Sequence, residues 1–302
     1  MYNGILLLNK EPGFTSHDAV AKLRGILRFR RIGHAGTLDP MAQGLLVMLL
    51  GKATRASEYA SGAEKEYIAD FILGVETDTQ DTTGNVLAEA PVDVTESQLR
   101  QALASFEGGY DQVPPMYSAI QKDGVRLYDL ARKGKEVERE SRFIALPLLE
   151  LLSFDPPRGK LRVRCSKGTY IRTLCHDLGQ RLSCGGAMSA LTRVQAGDFS
   201  LEDALTLGEV EQLVKEGTLQ QHILPVDRLF ASLPAVALTE EGAKRARNGA
   251  HAAQKHLLSG EIPPVDALCR VYTPDGGFLM TGKGGLLDMG PPAIFCHKIF
   301  GE

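Results

Sequence analysis

The stretch Gly33-His34-Ala35-Gly36-Thr37-Leu38-Asp39-Pro40-Met41-Ala42-Gln43-Gly44 concentrates the residues best able to do chemistry. Glycines flank the His-Ala pair, so the backbone there can take a positive φ or come close to another segment. Pro40 restricts the residue before it, so Asp39 presents a carboxylate with little freedom, five positions from the imidazole of His34. Such a carboxylate can act as a proton acceptor or as a nucleophile. The structural alternative has Asp39 capping a short helix with Pro40 at its first position, and His34 as a hydrogen-bonding residue of the loop.

Other chemistries find little support. There is no GxxxxGK[ST] and no convincing GxGxxG, so no nucleotide cofactor has an evident cradle. His residues lack HExxH spacing and Cys175-His176 is an isolated pair, so no metal site is expected. No GxSxG marks an acyl-transfer serine. The five cysteines are an odd number without a CxxC, which argues against a disulfide framework or a zinc ribbon. The chain of 302 residues is 43% hydrophobic and 24% charged, with a net charge of −3, which excludes disorder as its main state. The apolar run Leu45–Leu50 is far short of the ~20 residues a membrane helix needs, and the first residues do not resemble a secretory signal. A reduced, soluble, cytoplasmic protein with no membrane partner is expected.

Charge is unevenly spread. Residues 66–111 hold ten acids and one base, whereas residues 120–172 hold thirteen bases and seven acids. A basic face on a nearly neutral body suits a polyanion, and two differently solvated surfaces would give the same counts. Arg126, Arg132, Lys133, Lys135, Arg158, Lys160, Arg162 and Arg164 are the candidate phosphate contacts.

Elements must position these groups. Ile5–Leu8 reads as a strand, then Ser16 as the cap of a helix with apolar positions Val20, Leu23, Ile26 and Leu27, stopped at Gly33. Tyr67–Leu73 is strand-like, and Thr95 with Gln98 fits a capping box ahead of a helix burying Leu99, Leu103 and Phe106. Residues 142–155 and 160–167 read as two strands. In the second, Leu161, Val163 and Cys165 alternate with Arg162, Arg164 and Ser166, one face buried and one basic. Ile171, Leu174, Leu178 and Leu182 recur at helical spacing. Without a βαβ rhythm, the expected class is α+β, with a mixed, largely antiparallel sheet flanked by helices. A linker near residues 230–234 divides a domain of residues 1–235 from a small β-rich one of residues 236–302.

The motif around Asp39 resembles the catalytic motif of the TruB-type tRNA pseudouridine synthases. The resemblance extends in order through Asn9–Ser16, Lys65-Glu66-Tyr67, Gly74–Asp81, Pro114–Ile120, Gly124–Tyr128 and Lys167–Thr173. It implies that Asp39 is the catalytic aspartate and that His34 contacts RNA as the target base leaves its stack. It further implies that Tyr67 stacks on that base, that Arg172 pairs with Asp39, and that Tyr170 and Leu191 line the uridine pocket. The implied substrate is the uridine at conventional position 55 in the TΨC stem-loop of tRNA, with no cofactor, no metal and no obligate protein partner. The implied C-terminal unit is a PUA-like RNA-binding domain. An arginine beside Asp39 would offset desolvation of the carboxylate and, if bidentate, fix its direction. Read from the residues alone, Tyr67 is equally a core aromatic and Arg172 a surface or phosphate-binding group. Residues 124–140 could form a mobile insert. Two rival functions stay open: a non-catalytic tRNA-remodelling protein, and a carboxylate-based hydrolase of small glycosides, which lacks a clear second acid.

Overall fold

The computed structural model describes residues 2–287 and 290–301. β1 (Gly4–Lys10) leads into α1 (Ser16–Leu27), β2 (Ile32–Ala35) and β3 (Gln43–Leu50). A short helix, α2 (Ser57–Gly62), precedes β4 (Lys65–Leu73), and the hairpin β5 (Val75–Thr77) and β6 (Val86–Glu89) follows. Next come α3 (Glu96–Ala104), β7 (Gly108–Gln112), the small hairpin β8 (Gln121–Lys122) and β9 (Val125–Arg126), and α4 (Leu127–Ala131). Then follow β10 (Arg142–Leu146), β11 (Leu148–Asp155), β12 (Arg158–Cys165), α5 (Ile171–Arg181), β13 (Gly186–Ala196), β14 (Phe199–Ser200) and α6 (Leu207–Glu216).

The main sheet has the order β1-β3-β13-β4-β12-β11, with β2 also on β3 and β14 on β13. β3 and β13 run parallel, and the other pairs are antiparallel. This is the mixed, largely antiparallel α+β sheet that the sequence predicts. Side chains on one face (Leu6, Leu8, Leu46, Met48, Ala69, Phe71, Leu161, Val163) pack under α1, α3, α5 and α6 through Leu23, Leu99, Leu174 and Val210. On the opposite face, Ile5, Leu7, Leu45, Val47 and Leu49 pack against Val226, Phe230 and Phe300. Each fully buried aliphatic side chain contributes about 1.5–3 kcal/mol.

Three local expectations need correction. α1 is capped by Thr15, in a capping box with Asp18, rather than by Ser16. Ser16 is the first helical residue, and its hydroxyl is spent on the Leu38 backbone instead. The helix ends at Arg28, not Gly33: Arg28 adopts φ 48 and its N–H bonds back to the Arg24 and Gly25 carbonyls. The strand expected over 142–155 is broken at Pro147, which has no N–H to donate. Its first part, β10, pairs with β7 in a separate two-stranded ribbon, while β11 joins the main sheet beside β12.

The chain then forms β15 (Ala235–Leu238), α7 (Glu240–Arg247), β16 (Ala252–Ala253), β17 (Leu257–Ser259), β18 (Leu268–Tyr272), β19 (Phe278–Leu286) and β20 (Pro292–Ile299). These strands make a second sheet, ordered β16-β20-β19-β18-β15-β17, with a core of its own around Val236, Ala243, Val271, Met280 and Ile294. It docks on the first through Phe230, which meets Phe278 and Phe300 at 5.9 and 5.5 Å between ring centres. Lys52 and Arg55 add hydrogen bonds to the Gly301 and Ile299 carbonyls. Among the described residues, no helix is long and apolar enough to cross a membrane.

Candidate active site

Asp39 sits in the loop between β2 and β3, and that loop is fastened along its length. The Ser16 hydroxyl accepts from the Leu38 N–H at 2.9 Å and donates to the Leu38 carbonyl at 3.2 Å. Gly13 N–H donates to the Pro40 carbonyl, and Ala42 N–H to the Asp39 carbonyl. Arg193, fully buried on β13, donates to the Gly36 carbonyl at 3.0 Å and to the Leu45 carbonyl at 2.6 Å. Gly44 closes the loop at φ +99, where a Cβ would collide with the Arg193 backbone. A side chain held this way needs no reorganisation before it reacts.

Opposite Asp39 stands Arg172, in the first turn of α5, with 8% of its side chain exposed against 35% for Asp39. Its Nη2 lies 3.5 Å from Asp39 Oδ2 and donates to the Tyr117 carbonyl at 2.6 Å. Its Nη1 lies 3.9 Å from Asp81 Oδ2. Arg172 thus pairs with Asp39 without gripping it in bidentate fashion, because one guanidinium is shared among two carboxylates and a carbonyl. Asp81 is itself held by the Thr79 hydroxyl and by the N–H and hydroxyl of Thr83.

The electrostatics follow from this crowding. Burial pushes the Asp39 carboxyl above its ordinary range; Arg172 opposes the shift, Asp81 adds to it, and Lys10 opposes it. Lys10 is buried beside the loop, its ammonium donating to the Phe14 carbonyl at 2.7 Å and the Glu11 carbonyl at 2.9 Å. Burial pushes Lys10 down to about 8, with Asp39 pulling the other way.

Tyr67, Leu191 and Tyr170 complete the surroundings. Leu191 on β13 pairs with Ala69 on β4, so it shares a face with Tyr67, two residues from Ala69. Both are buried in the core cluster on the side of Leu38 and Ala42. Burial raises the Tyr67 hydroxyl and Arg193 draws it back; the Asp39 charge also acts on it. Tyr170 caps α5 with its ring 5.8 Å from the Arg172 guanidinium, and Gln112 bonds to both its N–H and its carbonyl. The structure thus gathers Asp39, Arg172, Tyr67, Tyr170 and Leu191. His34 stands on the β2 arm of the loop, edge-on to His17 at 5.5 Å between ring centres. Its Nδ1 is buried without a hydrogen-bond partner among the described residues, and burial lowers its pKa.

Asp81, Lys10, Arg193 and Gln112 support this site but carry no role in the sequence reading, and Ser16, read there only as a helix cap, supports it as well. Asp81 and Lys10 lie inside recognisable blocks; Arg193 and Gln112 gave no signal. Three candidate phosphate contacts fall on the side away from Tyr67. Glu66, 2% exposed, receives Arg162 Nε at 2.6 Å and Arg164 Nη2 at 2.7 Å, while Lys160 meets Asp70 at 3.2 Å. Glu66 neighbours Tyr67 on the strand and so points to the opposite face of the sheet. Among the described residues, no cluster of His, Cys, Asp and Glu could hold a metal ion.

Comparison with known proteins decides the family. A family model described as TruB family pseudouridylate synthase (N terminal domain) matches residues 24–171, and one described as tRNA pseudouridylate synthase B C-terminal domain matches residues 172–231. The chain belongs to the TruB family. A protein of Opitutus terrae named tRNA pseudouridine synthase B is 52% identical over 232 residues, covering 76% of this chain and 96% of the relative. One of the same name from Clostridium kluyveri is 40% identical over 280 residues, 93% of this chain and 95% of the relative. A solved structure described as an H/ACA RNP bound to a substrate RNA containing 2′-deoxyuridine superposes with a TM-score of 0.76 at 26% identity, covering 99% of this chain and 85% of that one. As a TruB tRNA pseudouridine synthase, the chain is an RNA-binding isomerase that acts in tRNA modification.

Proposed function

We propose that this TruB enzyme isomerises the uridine at position 55 in the TΨC loop of tRNA, with Asp39 as the reacting group. The observation that carries the reading is a loop-fixed carboxylate facing a buried guanidinium beside Tyr67, Tyr170 and Leu191. The target base is everted, since a stacked base hides C1′ from any carboxylate. His34 contacts the RNA as the base leaves, and stacking on Tyr67 offsets ~1–3 kcal/mol of the eversion. Tyr170 and Leu191 wall the uridine.

The reaction breaks the N1–C1′ bond, turns the uracil, and joins C5 to C1′; the C5 hydrogen leaves as a proton and N1 gains one. Asp39 must be ionised to act on the ribose, whether it removes a proton or attacks C1′. Arg172 keeps that form accessible inside a desolvated site. The chain divides into a catalytic unit of residues 1–235 and a PUA-like RNA-binding unit of residues 236–302, in line with the second sheet and its separate core. It works in the cytoplasm on tRNA with no cofactor and no obligate protein partner.

The test uses purified protein and a tRNA transcript tritiated at uridine C5, where each turnover releases one label to water. Wild type should release label from position 55 alone, and Asp39→Asn should lose activity by at least about 10³-fold while binding tRNA normally. Near-normal turnover by that variant, or release elsewhere, would overturn the proposal.

A further inference from the structure

Arg142 opens β10 directly opposite Gln112 of β7. Residues facing each other across an antiparallel pair project to the same face of the ribbon. Gln112 turns its amide toward Tyr170: Nε2 donates to the Tyr170 carbonyl at 3.1 Å and Oε1 accepts from the Tyr170 N–H at 2.9 Å. The Arg142 side chain therefore stands on the Tyr170 side, and its charge is among those that act on the Tyr170 hydroxyl.

Among the described residues Arg142 shares with Lys133, Lys135 and Lys167 the lack of a protein acceptor for its side chain, and its register opposite Gln112 is what sets it beside Tyr170. Arg139 is paired with Glu136, Lys122 with the Glu138 carbonyl, and Arg126 with the Tyr128 hydroxyl. Arg162 and Arg164 are engaged by Glu66 on the far face of the sheet. The Arg142 side chain is exposed, and no hydrogen bond or ion pair joins it to a described residue.

We propose that Arg142 binds an RNA backbone phosphate next to the target nucleotide, at the rim of the pocket walled by Tyr170. The chemistry selects that ligand. Swinging a nucleotide out of its stack rotates its sugar–phosphate backbone and leaves the flanking phosphates at the mouth of the pocket holding the base. A guanidinium fork grips such a phosphate through two charge-assisted hydrogen bonds, which an ammonium reproduces only as a point charge. The contact positions the RNA and reads no sequence.

This inference rests on the reading of Tyr170 as a pocket wall in the proposed reaction. The experiment measures binding of an unmodified tRNA transcript in an Asp39→Asn background, so that no product forms, across about 50–200 mM salt. Arg142→Gln should weaken Kd about tenfold and reduce the slope of log Kd against log salt by about one. Arg142→Lys should retain the slope and lose about threefold in Kd. An unchanged Kd and slope in Arg142→Gln overturns the proposal, as does a weaker Kd with an unchanged slope, which would mark a packing role. Failure of the wild-type enzyme to release tritium from uridine would instead overturn the reaction, a result read independently of the binding slope.

Discussion

The guanidinium of Arg172 lies 3.5 Å from the Asp39 carboxylate and gives its hydrogen bond to the Tyr117 carbonyl instead. Asp39 thus feels a fixed positive charge while its oxygens stay available to a substrate. A direct hydrogen bond would lower the carboxylate's reactivity by occupying a lone pair; a guanidinium held slightly back favours ionisation without that occupation.

Replacing Arg172 with lysine tests the sharing. An ammonium cannot reach Asp39, Asp81 and the Tyr117 carbonyl together. Arg172→Lys should lower kcat by about 10–100-fold in the tritium-release assay, with tRNA affinity changed by no more than about threefold. A variant retaining half of wild-type turnover would show that charge alone suffices.

Asp39 also trades stability for reactivity. Its folded pKa is raised, so between the unfolded and folded values the native state binds more protons and stability falls as pH rises. Asp39→Asn removes that penalty. The variant should melt above wild type at pH 7, and the gap should close as pH drops below the ordinary carboxylate range, where Asp39 is neutral in both states. Melting curves from about pH 3.5 to 7.5 measure it; a gap that widens in acid would contradict the raised pKa.

Two adjacent residues at the start of α1 should behave differently. Thr15 caps the helix, so Thr15→Ala should cost about 1 kcal/mol of stability with kcat unchanged. Ser16 ties the helix to Leu38, so Ser16→Ala leaves a buried N–H unpaired, costs about 1–3 kcal/mol, and should also reduce kcat by loosening the Asp39 loop. Equal kinetic effects from both changes would detach Ser16 from the site.

The basic strand should matter for folding rather than for RNA. Glu66 is buried while its two arginines are about half exposed, so their charges can be partly hydrated once it is gone. Glu66→Gln should cost about 1–2 kcal/mol, seen as a Tm lower by about 2–8 °C. Arg162→Gln and Arg164→Gln should leave tRNA affinity within about twofold, since both project away from Asp39. A tenfold loss of affinity would place RNA on that face.

How much of this was legible in the sequence depends on the separation of partners. Asp39, Tyr67, Tyr170 and Arg172 lie in short blocks whose resemblance to the family could be read directly, and the Thr95–Gln98 capping box is local. Arg193 was not legible, because the carbonyls it fixes are 148 and 157 residues away. Gln112 reaches Tyr170 across 58 residues. The alternation of buried and basic residues in β12 is legible in the sequence through its period of two. Which face of the sheet carried the arginines depended on the register with β4, which a single sequence does not specify. Pro147 was a visible break that the continuous strand over 142–155 passed over, and Thr15 lost to Ser16 because neighbouring hydroxyl residues are equivalent cap candidates by type.

The hydrogen bond from Arg172 to the Tyr117 carbonyl ties the charge state of the site to the main chain just ahead of the β8–β9 hairpin. Movement of that backbone stretches or breaks the bond and frees the guanidinium to swing toward one carboxylate or the other. Any RNA that displaces Tyr117 on docking must then change how tightly Asp39 holds a proton. By thermodynamic reciprocity, the affinity for that RNA must depend on pH, and complex formation must be accompanied by a net uptake or release of hydrogen ions at fixed pH.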